Sequence, residues 1–139
     1  MRQAVVSGGF DDLRSRHIRF LQEAARLGAL TVALWSDEAV RAATGKPPKF
    51  PEAERGYLLE SIRYVDRVRL VEGQIEQDEV PGLDALPDRP DAWVVDAEHD
   101  TAGKRAFARS RGLAYHVLGD DALSGFPIAP APHGRRNRR

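Results

Sequence analysis

The sequence contains no cysteine. Without thiols there is no disulfide framework, no thiolate nucleophile and no cysteine-bound metal. A thiol-free chain suits a reducing compartment, and the expectation is a cytoplasmic protein. Long hydrophobic runs are missing as well. The longest apolar stretch, Leu27 to Trp35, is interrupted by Gly28 and Thr31. It falls far short of the roughly 20 apolar residues of a membrane-spanning helix. Arg2 is not followed by an apolar run of signal-peptide type. Neither a membrane partner nor export is expected. Two phosphate-binding fingerprints are also absent, G-x-G-x-x-G and G-x-x-x-x-G-K-[ST]. That argues against dinucleotide and P-loop sites. Finally there is no net charge, with 21 basic and 21 acidic side chains. Four of the arginines, Arg135, Arg136, Arg138 and Arg139, sit in the last five residues, leaving 17 basic against 21 acidic side chains elsewhere. A mildly acidic body argues against a broad nucleic-acid surface.

What is present fits one domain in 139 residues. Short β-branched runs alternate with segments of helical period. Gln3 to Ser7 reads as a strand and Ser15 to Leu27 as a helix, with Gly28 ending it in the left-handed conformation. Leu30 to Trp35 reads as a strand apolar on both faces, as in the centre of a parallel sheet. Ser36 is placed to cap a helix that Gly45 stops. After the loop GKPPKFP, Glu52 to Tyr64 returns to helix, with Leu58, Leu59, Ile62 and Val65 on its buried side. Arg67 to Val71, Ala92 to Val95 and Leu113 to Leu118 read as further strands, and Thr101 to Arg111 as a helix before the last of them. The alternation implies an α/β fold, a Rossmann-like open parallel sheet of five strands with helices on both faces. The domain is expected over residues 1–127. Residues 128–139, Pro-rich and then Arg-rich, read as a disordered tail.

Between the first strand and the first helix lies SGGFDDLRSRHIR, residues 7–19. Ligands of parallel sheets bind beyond the carboxyl ends of the strands, where this stretch begins. Gly8 and Gly9 allow a sharp turn and close approach to a ligand. The helix start offers unpaired N–H groups and a partial positive charge, which suit phosphate. Arg14 and His17 are three apart, a spacing that puts both on one face. An arginine fork binds phosphate oxygens, and a histidine adds a hydrogen-bond donor.

GGFDDLRSRH is similar to the G-x-F-D-x-x-H-x-G-H signature of the cytidylyltransferase-like nucleotidyltransferases. The resemblance continues through IRFLQEAARLGALTVALWSDEAV and KPPKFPEAERGYLLESIRYVDRV, and weakens from Ala92 to Leu118. It implies a nucleotidyltransferase reaction. A phosphate or phosphonate oxygen of a small phosphorylated substrate attacks the α-phosphate of CTP or ATP, and pyrophosphate leaves. The nucleotide would bring Mg²⁺ with it, and no protein-bound metal is implied. Carried onto this sequence, the resemblance implies catalytic roles for His17, Arg14 and Lys46. It implies nucleotide contacts for Gly8, Gly9, Phe10, Asp11, Arg16, Lys49, Arg55 and Ser124. A homodimer follows by the same analogy. Trp35 and Trp93 read as core or pocket wall, and His99, His116 and His133 as structural or surface residues lacking metal-ligand spacing.

The sequence departs from the signature on the chemistry. Arg14 stands where the first histidine is expected and Arg16 where the glycine is, while His17 matches the second histidine. The family's late Arg-Thr-Glu-Gly-Ile-Ser-Thr-Thr motif falls near LGDDALSGF, where Gly119 replaces the arginine and Asp120 and Asp121 add negative charge. These departures open a second reading, a nucleotide- or phosphate-binding regulatory module of the same fold without turnover. A third reading, RNA association, rests on the arginine tail alone.

Overall fold

The structure is a computed structural model that describes residues 2–86 and 89–128. Five strands, β1 (Gln3–Gly8), β2 (Ala29–Trp35), β3 (Arg67–Val71), β4 (Ala92–Asp96) and β5 (Ala114–Leu118), alternate with helices. The helices are α1 (Ser15–Ala24), α2 (Asp37–Thr44), α3 (Glu52–Glu60), α4 (Ala102–Ser110) and the single turn α5 (Asp120–Leu123). All strand pairs are parallel, in the order β3-β2-β1-β4-β5. The chain winds outward from β1 to β3, then crosses back to β4 on the other side of β1. The order reverses between β1 and β4, and the crevice beyond their carboxyl ends is where such sheets bind ligands.

Alternation along the central strands sorts the core into two layers. Ala4 and Val6 of β1, with Leu30, Val32 and Leu34 of β2, pack against Leu21 and Ala24 of α1 and Leu59 of α3. Val5, Ala33, Trp93 and Val95 face the other way, toward Ala108 of α4 and Val80 and Leu83 of the β3–β4 connection. β2 is buried on both faces along nearly its whole length, whereas the edge strand β3 leaves Leu70 45% exposed. No helix among the described residues is long and apolar enough to cross a membrane. The expected tail lies outside the described residues, apart from Ile128.

Several local expectations change. Gly28 is not left-handed. It is extended, with φ 164° and ψ 169°, and the end of α1 tightens into a 3₁₀ turn over Ala25–Leu27. A β-carbon on Gly28 would sit 3.0 Å from the backbone of Arg2 and Ala4. The glycine is there because the chain passes β1 at close range. Gly45 does close α2 in the left-handed conformation, and the Ser36 hydroxyl accepts the Ala39 N–H at the other end. Helix α3 stops at Glu60 rather than Tyr64, and Leu58 is exposed. Its buried face carries Arg55 and Leu59, four apart, so a charged residue shares the face with the apolar one.

A second tie, partly exposed, clamps α4 to β5. The Tyr115 hydroxyl donates to Asp100 at 2.9 Å, and Arg105 donates to the other Asp100 oxygen at 2.9 Å. Burial, then the bond to Asp100, pushes the Tyr115 phenol up to about 12. The folded chain therefore holds this proton more tightly than the unfolded chain does. The resulting stabilisation is complete below the ordinary phenol value near 10 and is lost as pH rises through about 12. Unfolding free energy is expected to fall across that window. In Tyr115→Phe the late step should vanish from the phenolate absorbance titration, along with that part of the slope.

Candidate functional site

The turn leaving β1 is strained and heavily tied. Phe10 and Asp12 adopt positive φ angles of 47° and 54°, each costing on the order of 1–2 kcal/mol for a non-glycine residue. The Asp11 carboxylate accepts the backbone N–H groups of Lys49, at 2.6 Å, and Phe50, at 2.9 Å. Asp12 accepts from Arg14 at 2.8 Å and Lys49 at 3.3 Å. These bonds hold its carboxyl below the usual carboxylate range, Arg14 more than Lys49. Beneath the turn lies Arg55, whose side chain is fully buried. It donates to the carbonyls of Gly9 and Trp35, both at 2.8 Å, and of Phe50 at 2.9 Å, and to the Asp37 carboxylate at 2.8 Å. One guanidinium thus joins the ends of β1 and β2 to the proline loop.

The first turn of α1 follows. Arg14 is its N-cap, with extended backbone, and its N–H donates to His17 Nδ1 at 2.8 Å. His17 serves where glutamate usually closes a capping box. Because Nδ1 accepts, this bond puts the ring proton on Nε2, leaving a fixed donor on the other side of the ring. His17, Arg14 and Arg16 all wall a cavity of about 620 Å³ bounded by the ends of β1 and β4. That volume accommodates a small-molecule ligand. Trp35 and Trp93 contribute apolar wall, and the Trp35 indole N–H donates to Ser7 Oγ at 2.9 Å.

The opposite wall comes from the end of β4. Asp96 accepts the His99 backbone N–H at 3.0 Å and lies 2.5 Å from His99 Nδ1. Lys104, in the first turn of α4, donates to the His99 carbonyl at 2.6 Å. Burial lowers the Lys104 pKa, against the pull of Asp78, Asp96 and Asp100. Asp96, His99 and Lys104 all line the cavity, with Gln77 and Glu79 of the β3–β4 connection beside them. His99, expected to be structural or surface, is therefore a cavity residue. This wall faces the β1 turn because β4 lies beside β1 in the sheet, a neighbour relation that no local pattern in the sequence encodes.

Of the residues singled out beforehand, Gly8, Gly9, Phe10, Arg14, Arg16 and His17 converge on the cavity, and Trp35 and Trp93 form part of its wall as expected. Asp11 and Arg55 are not among the lining residues: Asp11 accepts two backbone N–H groups, and Arg55 donates to three carbonyls and to Asp37. Lys46 is exposed, Lys49 pairs with Asp12, and neither lines the cavity. Ser124 lies outside it too, its hydroxyl donating to the Asp121 carbonyl. The late segment is instead joined to α1 by residues the sequence did not single out. Arg19 donates to the Ala122 and Ser124 carbonyls, and Gln22 to that of Pro127. Among the described residues no group of three or more His, Cys, Asp or Glu side chains is placed to hold a metal ion.

The description of the cytidylyltransferase-like family matches residues 5–136. An FAD synthase of Pyrococcus abyssi is 36% identical over 120 residues, covering 84% of this chain and 78% of that protein. An FAD synthase of Pyrococcus horikoshii is 33% identical over the same shares. In structure, the lipopolysaccharide core biosynthesis protein of Thermoplasma volcanium superposes with a TM-score of 0.65 at 23% identity, covering 91% of this chain and 99% of that one. The last likeness bears on the fold alone. A strand-order switch point carrying a cationic helix start, in a chain matched almost end to end, belongs to the cytidylyltransferase-like family of the nucleotidyltransferase superfamily.

Proposed function

We propose that this chain transfers a nucleotidyl group from ATP or CTP to a small phosphorylated or phosphonate acceptor. The observation that carries the reading is the first turn of α1. There Arg14 and His17, joined by the bond from the Arg14 N–H to His17 Nδ1, both line the cavity at the strand-order switch point. An acceptor oxygen attacks the α-phosphorus, the bond to pyrophosphate breaks, and no covalent enzyme intermediate forms. The protein's task is to position the two reactants and to neutralise charge gathering on the phosphoryl oxygens. Similarity to FAD synthases favours ATP as donor and a flavin phosphate as the first acceptor to try. A divalent cation would enter on the phosphates of the nucleotide itself, as Mg²⁺ commonly does.

The second reading, binding without turnover, is favoured by two ion pairs. Arg14 is paired with Asp12, and Arg16 with Asp120, so carboxylates of the chain already neutralise the cations that a triphosphate needs. One assay separates the readings. Pyrophosphate release is measured with MgATP and MgCTP across flavin mononucleotide, glycerol 3-phosphate, phosphoethanolamine and an aminoalkyl phosphonate. Release with any acceptor supports transfer. A nucleotide-dependent rise in melting temperature with no release on the whole panel supports the second reading. A chain that neither binds nor turns over removes both.

A further inference from the structure

Two departures from the family signature, Arg16 and Asp120, lie 104 residues apart in sequence and meet in space. Arg16 stands at the expected glycine, Gly119 at the expected late arginine, and Arg16 Nη2 donates to Oδ1 of Asp120. We infer that Arg16 supplies, from the first turn of α1, the guanidinium that binds the polyphosphate of the nucleotide in place of the late arginine. The inference rests on the nucleotidyltransferase reading and says where its missing cation has gone.

Three observations carry it. Arg16 lines the same cavity as Arg14 and His17, and 45% of its side chain remains accessible. The bond to Asp120 uses one of five guanidinium N–H groups, leaving others to take phosphate oxygens. The ion pair is also not what holds the late segment. Arg19, only 7% exposed, donates to the Ala122 carbonyl at 2.8 Å and the Ser124 carbonyl at 3.3 Å, and Gln22 donates to the Pro127 carbonyl at 3.1 Å. The Arg16–Asp120 side chains are 45% and 87% exposed, and pairs so exposed add little stability. An arginine held at the rim of a polyphosphate-sized cavity, with no structural load, is explained by a ligand.

The test moves the arginine back. Gly119 has φ −88° and ψ 178°, which any residue adopts, and a side chain there meets nothing within 4 Å. Wild type, Arg16→Gln and Arg16→Gln/Gly119→Arg are titrated by calorimetry with MgATP, MgCTP and inorganic tripolyphosphate. Arg16→Gln should melt within about 2 °C of wild type without ligand, as expected of an exposed pair. It should lose about ten- to a hundredfold in affinity for the nucleotide and for tripolyphosphate alike, the scale of a charged hydrogen bond to phosphate. The double variant should recover most of that loss. Unchanged affinity in Arg16→Gln, a loss confined to the nucleotide but not tripolyphosphate, or no recovery in the double variant overturns the assignment of Arg16 and leaves the nucleotidyltransferase reading standing. Wild type binding none of the three probes overturns both.

Discussion

Arg55→Met is expected to cost about 3–5 kcal/mol of folding stability, the largest effect of any single substitution considered for this fold. The size does not come from the ion pair with Asp37, whose carboxylate is 45% exposed and gains little from its partner. It comes from the carbonyls of Gly9, Trp35 and Phe50, which accept from a guanidinium with no solvent exposure. A buried acceptor left without a donor costs about 1–3 kcal/mol, and three would be orphaned together, less whatever water enters to relieve them. The same loss frees the turn over Gly9 and Phe10, where positive φ at Phe10 persists only because its surroundings hold it. Methionine keeps most of the volume, so packing is not the main term. Urea denaturation checks the magnitude. Arg55→Lys should fall between the two, since one ammonium cannot span three carbonyls and a carboxylate. A midpoint for Arg55→Met within about 1 kcal/mol of wild type would show that the carbonyls find other donors.

The alternation of β-branched runs with amphipathic segments made the parallel sheet readable, because the strands are short and the central ones are apolar. β2 is the clearest case: its run of Ala29–Trp35 is buried on both faces, as an unbroken apolar string demands. The spacing of Arg14 and His17 was readable in the same way, because residues three apart at a helix start share a face, and both line the cavity. What sequence could not supply was anything set by tertiary contact. Gly28 looked like a helix cap and is instead a close-packing residue against β1, a fact that depends on where β1 passes. That Arg55 is a buried tie is likewise a tertiary fact, because three carbonyls from three separate segments converge on it. The β4 wall of Asp96, His99 and Lys104 becomes part of the cavity only because β4 lies beside β1, and nothing local to those residues announces that. The meeting of Arg16 with Asp120 is of the same kind: two anomalies in the string are one feature in space.

The largest expected effect on turnover belongs to His17. Its Nδ1 accepts the Arg14 N–H and the residue lines the cavity, so in the nucleotidyltransferase reading Nε2–H is the donor offered to the nucleotide. His17→Ala removes both functions. Loss of the cap should cost about 1 kcal/mol of stability. Loss of a donor aimed at charge that develops in the transition state should lower kcat by about 10²–10³-fold, or roughly 3–4 kcal/mol of barrier. Stability and rate can be separated with His17→Gln. A glutamine at this position closes a capping box as well as glutamate does, and so should restore the melting temperature. Its amide N–H hangs on a flexible chain rather than a ring pinned by Nδ1, so kcat should stay at least about tenfold down for want of orientation. Nucleotide affinity measured without acceptor should change far less than kcat in either variant, because a donor matched to the transition state contributes little to the ground state. If His17→Gln regained full rate along with full stability, the histidine would be a helix cap and the chemistry would have to be carried by the arginines on either side of it. If His17→Ala lost affinity and rate in equal measure, the ring would be holding the resting triphosphate, and the transition-state assignment would fail.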